Sequence, residues 1–422
     1  MDSRKVGSFI MGKRKEAGLT QQQLADKLSV SFQAVSKWEN GSAYPNIEIL
    51  PELAMVLNVS ADEILEGREK QETGLSYRSA GVDLAYTDTI KREMAKHLET
   101  KDRRVLNGPG PFAALYDIHF PELKNPVLVL KAEEPGSKQK LAVEYGYTES
   151  ICHDMINHLV NDIAVMGARP LAVLDTIVCG NAEKDTISTL VKGVAEACVE
   201  NECSLVGGET SIQPQVVEKG VYVLTSSIVG VAEKKGIVDG SAIGQGDSIL
   251  AVASNGLHTN GYSLVRLLME KSPQVKLDKV DGMTFVEQIM KPHRPYYKVL
   301  KELLKEKNAD GSVRMVHGMA HITGGGIAGN LCRIIPEGLS ARIELGKIRP
   351  LPVFKYIKRN GKVSDGEMLA TFNCGVGFVL VVPAGCRDVV MKHVKGFYDC
   401  YEIGEITAGA EKVQFCGKLE WV

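Results

Sequence analysis

The sequence predicts two kinds of structure in one chain: a small all-α unit, and after it a much longer region of the α/β (α+β) class. Residues 1–67 carry helix-start and helix-stop signals and contain no strand-like run. From residue 75 onward, short apolar runs alternate with helical patterns and glycine-rich turns, which is typical of α/β structure. The charged segment 68–74 has no apolar periodicity, and we interpret it as a linker.

Length and composition exclude several classes of protein. The chain has 422 residues, which at about 150 residues per domain indicates roughly three domains. Its net charge of −2 gives the whole chain no affinity for polyanions. No apolar run reaches the ~18 residues of a membrane span, and the polar start does not resemble a signal peptide, so we expect a cytoplasmic protein. Nine cysteines without a CxxC pair predict reduced thiols, not disulfides or a cysteine zinc site.

The N-terminal unit is predicted to contain five helices. Thr20, with Gln23 three residues later, forms a capping box that begins a helix over residues 21–28. Ser31 caps the next helix, over residues 32–39, and Asn40-Gly41 ends it. The tight turn between these two helices is typical of a helix-turn-helix. The predicted small core consists of Leu24, Ala25, Leu28, Val35 and Trp38.

This segment, which includes Leu19-Thr-Gln-Gln-Gln-Leu-Ala25 and Val30-Ser-Phe-Gln-Ala-Val-Ser-Lys-Trp-Glu-Asn-Gly41, resembles the Cro/repressor-type DNA-binding domain. Residues 1–40 hold seven bases against four acids, a net charge of +3, and they contain the predicted recognition helix. The resemblance implies binding of double-stranded DNA, with glutamine reading adenine edges and lysine reaching guanine or phosphate. The expected DNA-contacting residues are Gln22, Gln33, Ser36 and Lys37. The alternative is that the unit serves only as a protein-contact module.

The long region is organised around residues 126–162. The apolar run Pro126–Leu130 predicts a buried strand, followed by a turn with two carboxylates, a Pro-Gly break and a lysine. A later helical segment has polar residues at spacings of three and four, which places them on one helix face. These residues are Asp154, Asn157, His158, Asn161 and Asp162. Such a face is either a solvated surface or part of a site for a divalent metal and a polyphosphate, because hard cations prefer carboxylate and amide oxygens.

Five further segments combine glycine with polar residues, and each is predicted at a switch between a strand and a helix. They span residues 107–115, 204–210, 254–263, 321–326 and 368–378. A helix N-terminus behind such a loop is a natural site for an anion. One loop of this kind is most often an ordinary turn, but five of them together favour a binding site.

Together these segments resemble the aminoimidazole ribonucleotide synthetase family, also called phosphoribosylformylglycinamidine cyclo-ligase. The resemblance extends from about Leu75 to the C-terminus. Its strongest pieces are Ser76-Tyr-Arg-Ser-Ala-Gly-Val-Asp83, Val160-Asn-Asp-Ile163, Cys203-Ser-Leu-Val-Gly-Gly-Glu-Thr210, His258-Thr-Asn-Gly-Tyr-Ser-Leu-Val-Arg266, His321-Ile-Thr-Gly-Gly-Gly326 and Thr371-Phe-Asn-Cys-Gly-Val-Gly377. The resemblance implies an ATP-binding domain at 75–234, a C-terminal domain at 235–422, and a homodimer in which the first sheet pairs with its twin.

The resemblance also implies the chemistry. ATP, with Mg²⁺, phosphorylates an amide oxygen of formylglycinamidine ribonucleotide, and a ring-forming nitrogen then displaces the phosphate. Lys138, Asp162 and His258 are the implied catalytic residues, and Glu133 and Asp162 are the implied metal ligands. The implied nucleotide- and substrate-binding residues are Gly136, Ser137, Asp154, Gly207, Gly208, Glu209, Thr210, Asn260, Thr323, Gly324, Gly325 and Asn373.

Two segments depart from the family pattern, and both belong to nucleotide-facing elements. Where the family has Asp-Gly-Val-Gly-Thr-Lys, this chain has Glu133-Glu-Pro-Gly-Ser-Lys138, which adds a negative charge near the expected phosphates. Where the family has Gly-Leu-Gly-Gly-Phe-Gly, this chain has Gly108-Pro-Gly-Pro-Phe-Ala113. Two alternatives to an active cyclo-ligase therefore stay open. One is a transcription regulator whose cyclo-ligase-like domain senses a purine nucleotide without turnover, and the other is a relative that phosphorylates a different acceptor.

Overall fold

The computed structural model describes residues 2–69, 84–181, 183–308, 312 and 315–421. The chain divides into two compact units, Met1–Ala80 and Gly81–Val422. Most of the predicted linker at 68–74 and the whole of the Ser76–Asp83 motif lie outside the described residues. The predicted domain limits, including the one at residue 234, stay predictions.

The first unit contains five short helices, as the capping signals predicted. They are α1 (Ser3–Glu16), α2 (Gln21–Lys27), α3 (Phe32–Glu39), α4 (Leu50–Leu57) and α5 (Ala61–Glu66). The Thr20 capping box is formed, and the Ser31 side chain accepts a hydrogen bond from the backbone N–H of Ala34. All five predicted core residues are buried, and Val6, Ile10, Leu53 and Ile64 complete the core.

The second unit has eleven helices and twelve strands within the described residues. The helices are α6 (Leu84–His97), α7 (Lys138–Tyr145), α8 (Thr148–Ala164), α9 (Lys184–Glu200), α10 (Tyr262–Lys271), α11 (Phe285–Ile289), α12 (Tyr297–Leu303), α13 (Gly326–Leu331), α14 (Pro352–Gly361), α15 (Asp365–Thr371) and α16 (Arg387–Lys395). The strands are β1 (Pro126–Glu133), β2 (Arg169–Cys179), β3 (Ser204–Ile212), β4 (Tyr222–Glu233), β5 (Ser248–Ala253), β6 (Lys279–Val280), β7 (Met283–Thr284), β8 (Gly318–His321), β9 (Leu339–Glu344), β10 (Val376–Val382), β11 (Cys400–Ala408) and β12 (Val413–Cys416).

Two mixed sheets organise this unit, which confirms the predicted α/β (α+β) class. The first has four strands in the order β1-β4-β2-β3, antiparallel except for the β2–β3 pair. The second has six strands in the order β12-β9-β11-β5-β10-β8, antiparallel except for β12–β9. Strands β6 and β7 form a separate hairpin. Helices α8 and α9 pack against the first sheet, and one hydrophobic core extends through both sheets.

The prediction of a buried strand at Pro126–Leu130 is wrong for the single chain. Strand β1 lies at an edge of the first sheet, and its residues alternate between exposed and half-buried positions. Leu128 and Leu130 are 50% and 69% exposed. The exposed leucines belong to a sheet face that the segment around Phe120 covers only in part.

Two glycine segments also differ from expectation. Residues 204–210 do not end in a loop, because β3 continues through both glycines to Ile212. Residues 368–371, predicted as part of a broken strand, form the end of α15, and the strand begins only at Val376. Among the described residues, no helix has the length and apolarity needed to cross a bilayer.

Candidate active site and DNA-binding helices

The polar face of α8 exists as predicted, but the first four of its five residues are buried and not solvated. It packs against the backbone of residues 291–296, from the second half of the unit. Asn157 donates to the carbonyl of His293 at 2.6 Å, and Asn161 donates to that of Arg294 at 3.0 Å. Asn161 also accepts from the backbone N–H of Tyr296 at 2.9 Å. Most of this face therefore joins the two halves of the unit, and the solvated alternative is wrong.

Lys138 belongs to the same buried network. Its ammonium lies 2.8 Å and 2.7 Å from the two carboxylate oxygens of Asp154, and it donates to the carbonyls of His258 and Lys291. Burial raises the pKa of the Asp154 carboxyl to about 6, although the Lys138 charge opposes this shift. A lysine has three N–H donors, and these partners engage all of them. Direct contact of Lys138 with a phosphate would require this network to open, and its catalytic role stays a prediction.

One end of the α8 face opens into a cavity of about 580 Å³. Five residues implied by the family resemblance line it, although they come from four separate segments: Glu133, Asp162, Asn260, Thr323 and Gly324. Lys131, His158 and His321 also line it. A second cavity, of about 600 Å³, lies around Tyr116 and Arg169 and contains none of the implied site residues.

Carboxylates and imidazoles meet at the wall of the first cavity. The Lys131 ammonium bridges Oε2 of Glu133 at 3.0 Å and Oδ2 of Asp162 at 3.1 Å. Burial alone would raise the pKa of Asp162, but the hydrogen bond with His321 and the nearby positive charges outweigh it and lower that pKa below its usual range. Burial lowers the pKa of His158 to about 4. The cavity wall therefore carries the ionised Asp162 carboxylate beside the neutral His158 imidazole.

The glycine loop that lines this cavity is held by Asn330. Its amide donates to the carbonyls of Thr323, Gly324 and Gly326 at 3.3, 3.1 and 2.8 Å. Gly326 has a φ of +62°, and a Cβ there would lie 1.8 Å from the carbonyl oxygen of Leu369, so this position requires glycine. Gly325 also has a positive φ, of +91°. The loop is therefore fixed in a shape that turns Thr323 and Gly324 toward the cavity.

Several implied residues do not reach this cavity. His258 is buried beneath it, with its ring stacked on His293 at 3.9 Å and its Nε2 3.1 Å from Oδ1 of Asn255. Asn373 is also buried, and it ties two loops together by accepting from Ser254 Oγ and donating to the carbonyl of Gly256. Gly136 and Ser137 lie in the turn before α7 and do not line the cavity. Their roles stay predictions.

Gly207, Gly208, Glu209 and Thr210 lie on β3, at the far edge of the first sheet from β1. The structure gives Gly208 a packing role: a Cβ there would lie 1.8 Å from Oδ1 of the buried Asp175 on β2. Within this chain the group that approaches Gly208 is a neighbouring strand, and the binding role implied for these four residues stays a prediction.

Lys131, His158 and His321 contact the Asp162 carboxylate, yet they were not among the site residues implied by the family resemblance. Signals for all three were present. Lys131 precedes Glu133 by two residues and shares its strand face, His158 belongs to the polar face of α8, and His321 begins the glycine motif. What the sequence did not reveal is that these three segments meet.

In the first unit, the expected DNA-contacting residues are accessible. Gln22, Gln33 and Lys37 are exposed, and Ser36 is half-buried. Arg14, which was counted among the bases of this region, is instead buried in an ion pair with Glu39, with Nε–Oε1 and Nη2–Oε2 distances of 2.5 Å and 2.9 Å. One fewer basic side chain is therefore available to contact phosphates. The net charge of residues 1–40 is unchanged, because both Arg14 and Glu39 were counted in it.

Comparisons with known proteins agree with this geometry. Residues 114–232 and 244–416 match the N-terminal and C-terminal domains of the AIR synthase related proteins, and residues 10–64 match the Helix-turn-helix family. The phosphoribosylformylglycinamidine cyclo-ligase of Methylobacillus flagellatus is 40% identical over 350 residues, which cover 82% of this chain and 98% of that protein. The enzyme of the same name from Carboxydothermus hydrogenoformans is 40% identical over 344 residues, covering 80% and 98%.

A solved structure shows the same fold at low identity. The hydrogenase maturation protein HypE in complex with ATP has a TM-score of 0.53 and 15% identity, over 82% of this chain and 92% of that one. Since the cyclo-ligases match nearly end to end at 40% identity, the family follows from sequence as well as fold. The chain belongs to the AIR synthase family, with phosphoribosylformylglycinamidine cyclo-ligases as its relatives, and carries a helix-turn-helix unit ahead of that region.

Proposed function

We propose that the second unit is an ATP- and Mg²⁺-dependent cyclo-ligase that closes the imidazole ring of formylglycinamidine ribonucleotide. One observation carries this proposal: five residues implied by the family resemblance line a single cavity, although they come from four separate segments. The name of the relatives and the ATP complex of the HypE structure support the same chemistry.

In this proposal ATP transfers its γ-phosphoryl group to the amide oxygen of the substrate and departs as ADP. A nitrogen of the same substrate then attacks the activated carbon, and phosphate leaves with the former amide oxygen. Glu133 and Asp162 supply carboxylate oxygens of the kind Mg²⁺ prefers, and when bound the ion neutralises phosphate charge. Lys131 lies between them and is placed to move onto a phosphate oxygen. Asn260, Thr323 and Gly324 line the same cavity and would contact the substrate.

The test is ADP release from purified protein supplied with formylglycinamidine ribonucleotide, ATP and Mg²⁺. Asp162→Asn is expected to abolish substrate-dependent release, whereas Asp185→Asn, on the exposed side of α9, is expected to retain it. Absence of release from wild-type protein that still binds ATP would instead favour the second candidate, a non-catalytic nucleotide sensor. That candidate is favoured by Glu134, which stands where the family has glycine and whose carboxylate accepts from Gln139 at 3.3 Å.

We propose in addition that the first unit binds double-stranded DNA through α3. The match to the Helix-turn-helix family and the exposure of Gln33 and Lys37 support this role. A homodimer of the second unit would provide two such units per particle, which suits an inverted-repeat operator. The support for dimerisation is one face of the first sheet, which exposes Leu128, Leu130, Leu174 and Val223 at 50%, 69%, 45% and 39%. The nine free cysteines support a cytoplasmic location.

A further inference from the structure

Two histidine rings flank the Asp162 carboxylate at the cavity wall. His321 Nδ1 lies 2.7 Å from Oδ1, and His158 Nε2 lies 3.6 Å from Oδ2. The two rings are perpendicular, at 90°, with centroids 5.1 Å apart. One donor atom from each of the three residues lies within 4.8 Å of the others. Perpendicular ring planes intersect close to both rings, so the in-plane lone pairs can point at one ion.

Each of these rings is held by its other nitrogen. His158 Nδ1 lies 3.0 Å from Oγ1 of Thr259, and His321 Nε2 lies 2.8 Å from Nε2 of His293. Metal-binding histidines characteristically use one nitrogen for the ion and the other for a fixed hydrogen bond that orients the ring. His158 shows this most clearly. It is buried, and its Nε2 has no hydrogen bond within the described residues, since the nearest carboxylate oxygens are at 3.6 and 3.8 Å.

A positive charge already occupies this position. The Lys131 ammonium bridges Glu133 and Asp162, and the same Oε2 of Glu133 lies 3.8 Å from His158 Nε2. The Lys131 side chain is 36% exposed, so it can turn outward into solvent. Replacing this ammonium with an ion would leave two carboxylates and two imidazoles around a single centre.

We propose that His158, Asp162 and His321 bind a divalent transition-metal ion, with Glu133 as an additional oxygen ligand. Imidazole nitrogen suits manganese, iron, cobalt or zinc, whereas magnesium prefers oxygen ligands alone. The site differs from a cysteine zinc site, and the ion would share both Glu133 and Asp162 with the proposed magnesium site, to which the two histidines add nitrogen ligands. Binding of this ion can be measured without nucleotide, because all of the proposed ligands come from this chain.

A second trio, His258, His293 and His321, also has donor atoms close together. It does not form a comparable site, because the His258 and His293 rings are stacked at 3.9 Å with only 21° between their planes. Nearly parallel planes meet far from both rings, so the two lone pairs cannot converge on one ion. His293 instead orients His321 from behind.

The test uses Co²⁺ as a probe with full-length protein first treated with a chelator, in the absence of ATP and substrate. Co²⁺ bound through nitrogen gives visible absorption bands that differ from those of the hydrated ion, and titration gives stoichiometry and affinity. The wild type is expected to bind one ion per chain. His158→Gln and His321→Gln are expected to weaken binding by about tenfold or more, as loss of supporting or direct contacts does at metal sites.

Two further variants sharpen the test. Lys131→Met is expected to bind Co²⁺ more tightly than wild type, because it removes the competing ammonium and leaves every ligand in place. His153→Gln is the matched control: this histidine is on the same helix, is 23% exposed, and pairs with Glu200 outside the cavity. Circular dichroism checks that each variant folds. If His321→Gln does not fold, the comparison of Lys131→Met with wild type still tests the proposal.

Three results would overturn the proposal: no Co²⁺ binding by wild type, equal binding by the His158 and His153 variants, or displacement of Co²⁺ by Mg²⁺ at a similar concentration. The last would identify an oxygen-only site of the type proposed for catalysis. Since none of these measurements involves ADP release, failure of the cyclo-ligase proposal is detected separately.

Discussion

His321 Nδ1 lies 2.7 Å from Oδ1 of Asp162, although 159 residues separate the two positions. Asp162 is near the end of α8, which packs on the first sheet, and His321 ends β8 at the edge of the second sheet. The cavity is therefore completed only where the two sheets and their helices meet. This explains why residues implied by one family motif can line the cavity while others of the same motif lie beneath it.

The buried Lys138–Asp154 pair should behave as a stabilising contact. Lys138→Met leaves the Asp154 carboxylate without its cation, and loss of one partner of a buried pair costs about 3–5 kcal/mol. We expect a correspondingly lower free energy of unfolding in urea. The double variant Lys138→Met/Asp154→Leu should recover part of the loss, because it removes both charges.

If Lys138→Met unfolds like wild type but no longer supports ADP release, the pair contributes little to stability. Lys138 would then act on the phosphate, as the family resemblance implied. Lys140→Met, an exposed lysine two residues later on α7, is the control for both measurements.

Asp175 should make stability depend on pH. Burial raises its pKa to about 7, against ~3.9 in an unfolded chain. Between these values the native protein retains a proton that the unfolded chain has released, so this contribution to stability is complete at acidic pH and is lost as pH rises toward 7. Asp175→Asn should lack this fall and exceed wild type at neutral pH, by at most ~4 kcal/mol.

Urea unfolding of both proteins between about pH 5 and 8 measures the difference. The exposed Asp185→Asn on α9 should parallel wild type throughout. A constant difference between the Asp175 variant and wild type across this range would mean that the carboxyl is already ionised in the folded protein.

The exposed leucines of β1 should govern association. Leu130→Asp places a charge on the apolar sheet face and should convert a dimer to monomer in sedimentation experiments. Val389→Asp, at an apolar position on α16 that is 55% exposed, should leave the mass unchanged. If the wild type is a monomer, or if the Leu130→Asp variant is still a dimer, the sheet face is not the dimer interface.

Lys37→Ala and Gln33→Ala should weaken DNA binding in different ways. Loss of a lysine–phosphate contact should lower affinity for all sequences and reduce the salt dependence, whereas loss of a glutamine–adenine contact should cost about 1–3 kcal/mol only on the cognate sequence. Fluorescence anisotropy at several salt concentrations, on selected and scrambled duplexes, distinguishes the two. Lys5→Ala on α1 is the matched charge control. Identical curves for all three variants would indicate the protein-contact alternative.

The sequence predicted those parts of the fold that depend on local chemistry. The Thr20 and Ser31 caps, the helix-turn-helix and the polar face of α8 need only a few neighbouring residues, and all were found. The surroundings of that face were not predictable, since Asn157 and Asn161 satisfy backbone groups more than 130 residues away. A polar helix face has the same sequence pattern whether it contacts water, a metal or a distant loop.

The same limit applies to the candidate active site, because sequence motifs do not show which polar side chains reach the cavity. Asp162, Asn260 and Thr323 reach the cavity, but Lys138 and Asn373 are in equally polar motifs and are used for internal contacts. Strand β1 shows a related ambiguity: an apolar run predicts contact with other apolar surface but does not reveal whether that surface is in the same chain.

The hydrogen-bonded contact between α8 and residues 291–296 limits how the chain can be divided into separate fragments. A fragment ending near residue 234 would display the amides of Asn157 and Asn161 with no carbonyl to receive them, and the complementary fragment would display the unpaired backbone. Because one hydrophobic core extends through both halves, each separated piece would also expose apolar surface to water. A gene split near residue 234 should therefore yield folded protein only when the two pieces are made together. Exchange of one half with that of a relative should require α8 and residues 291–296 to come from the same protein.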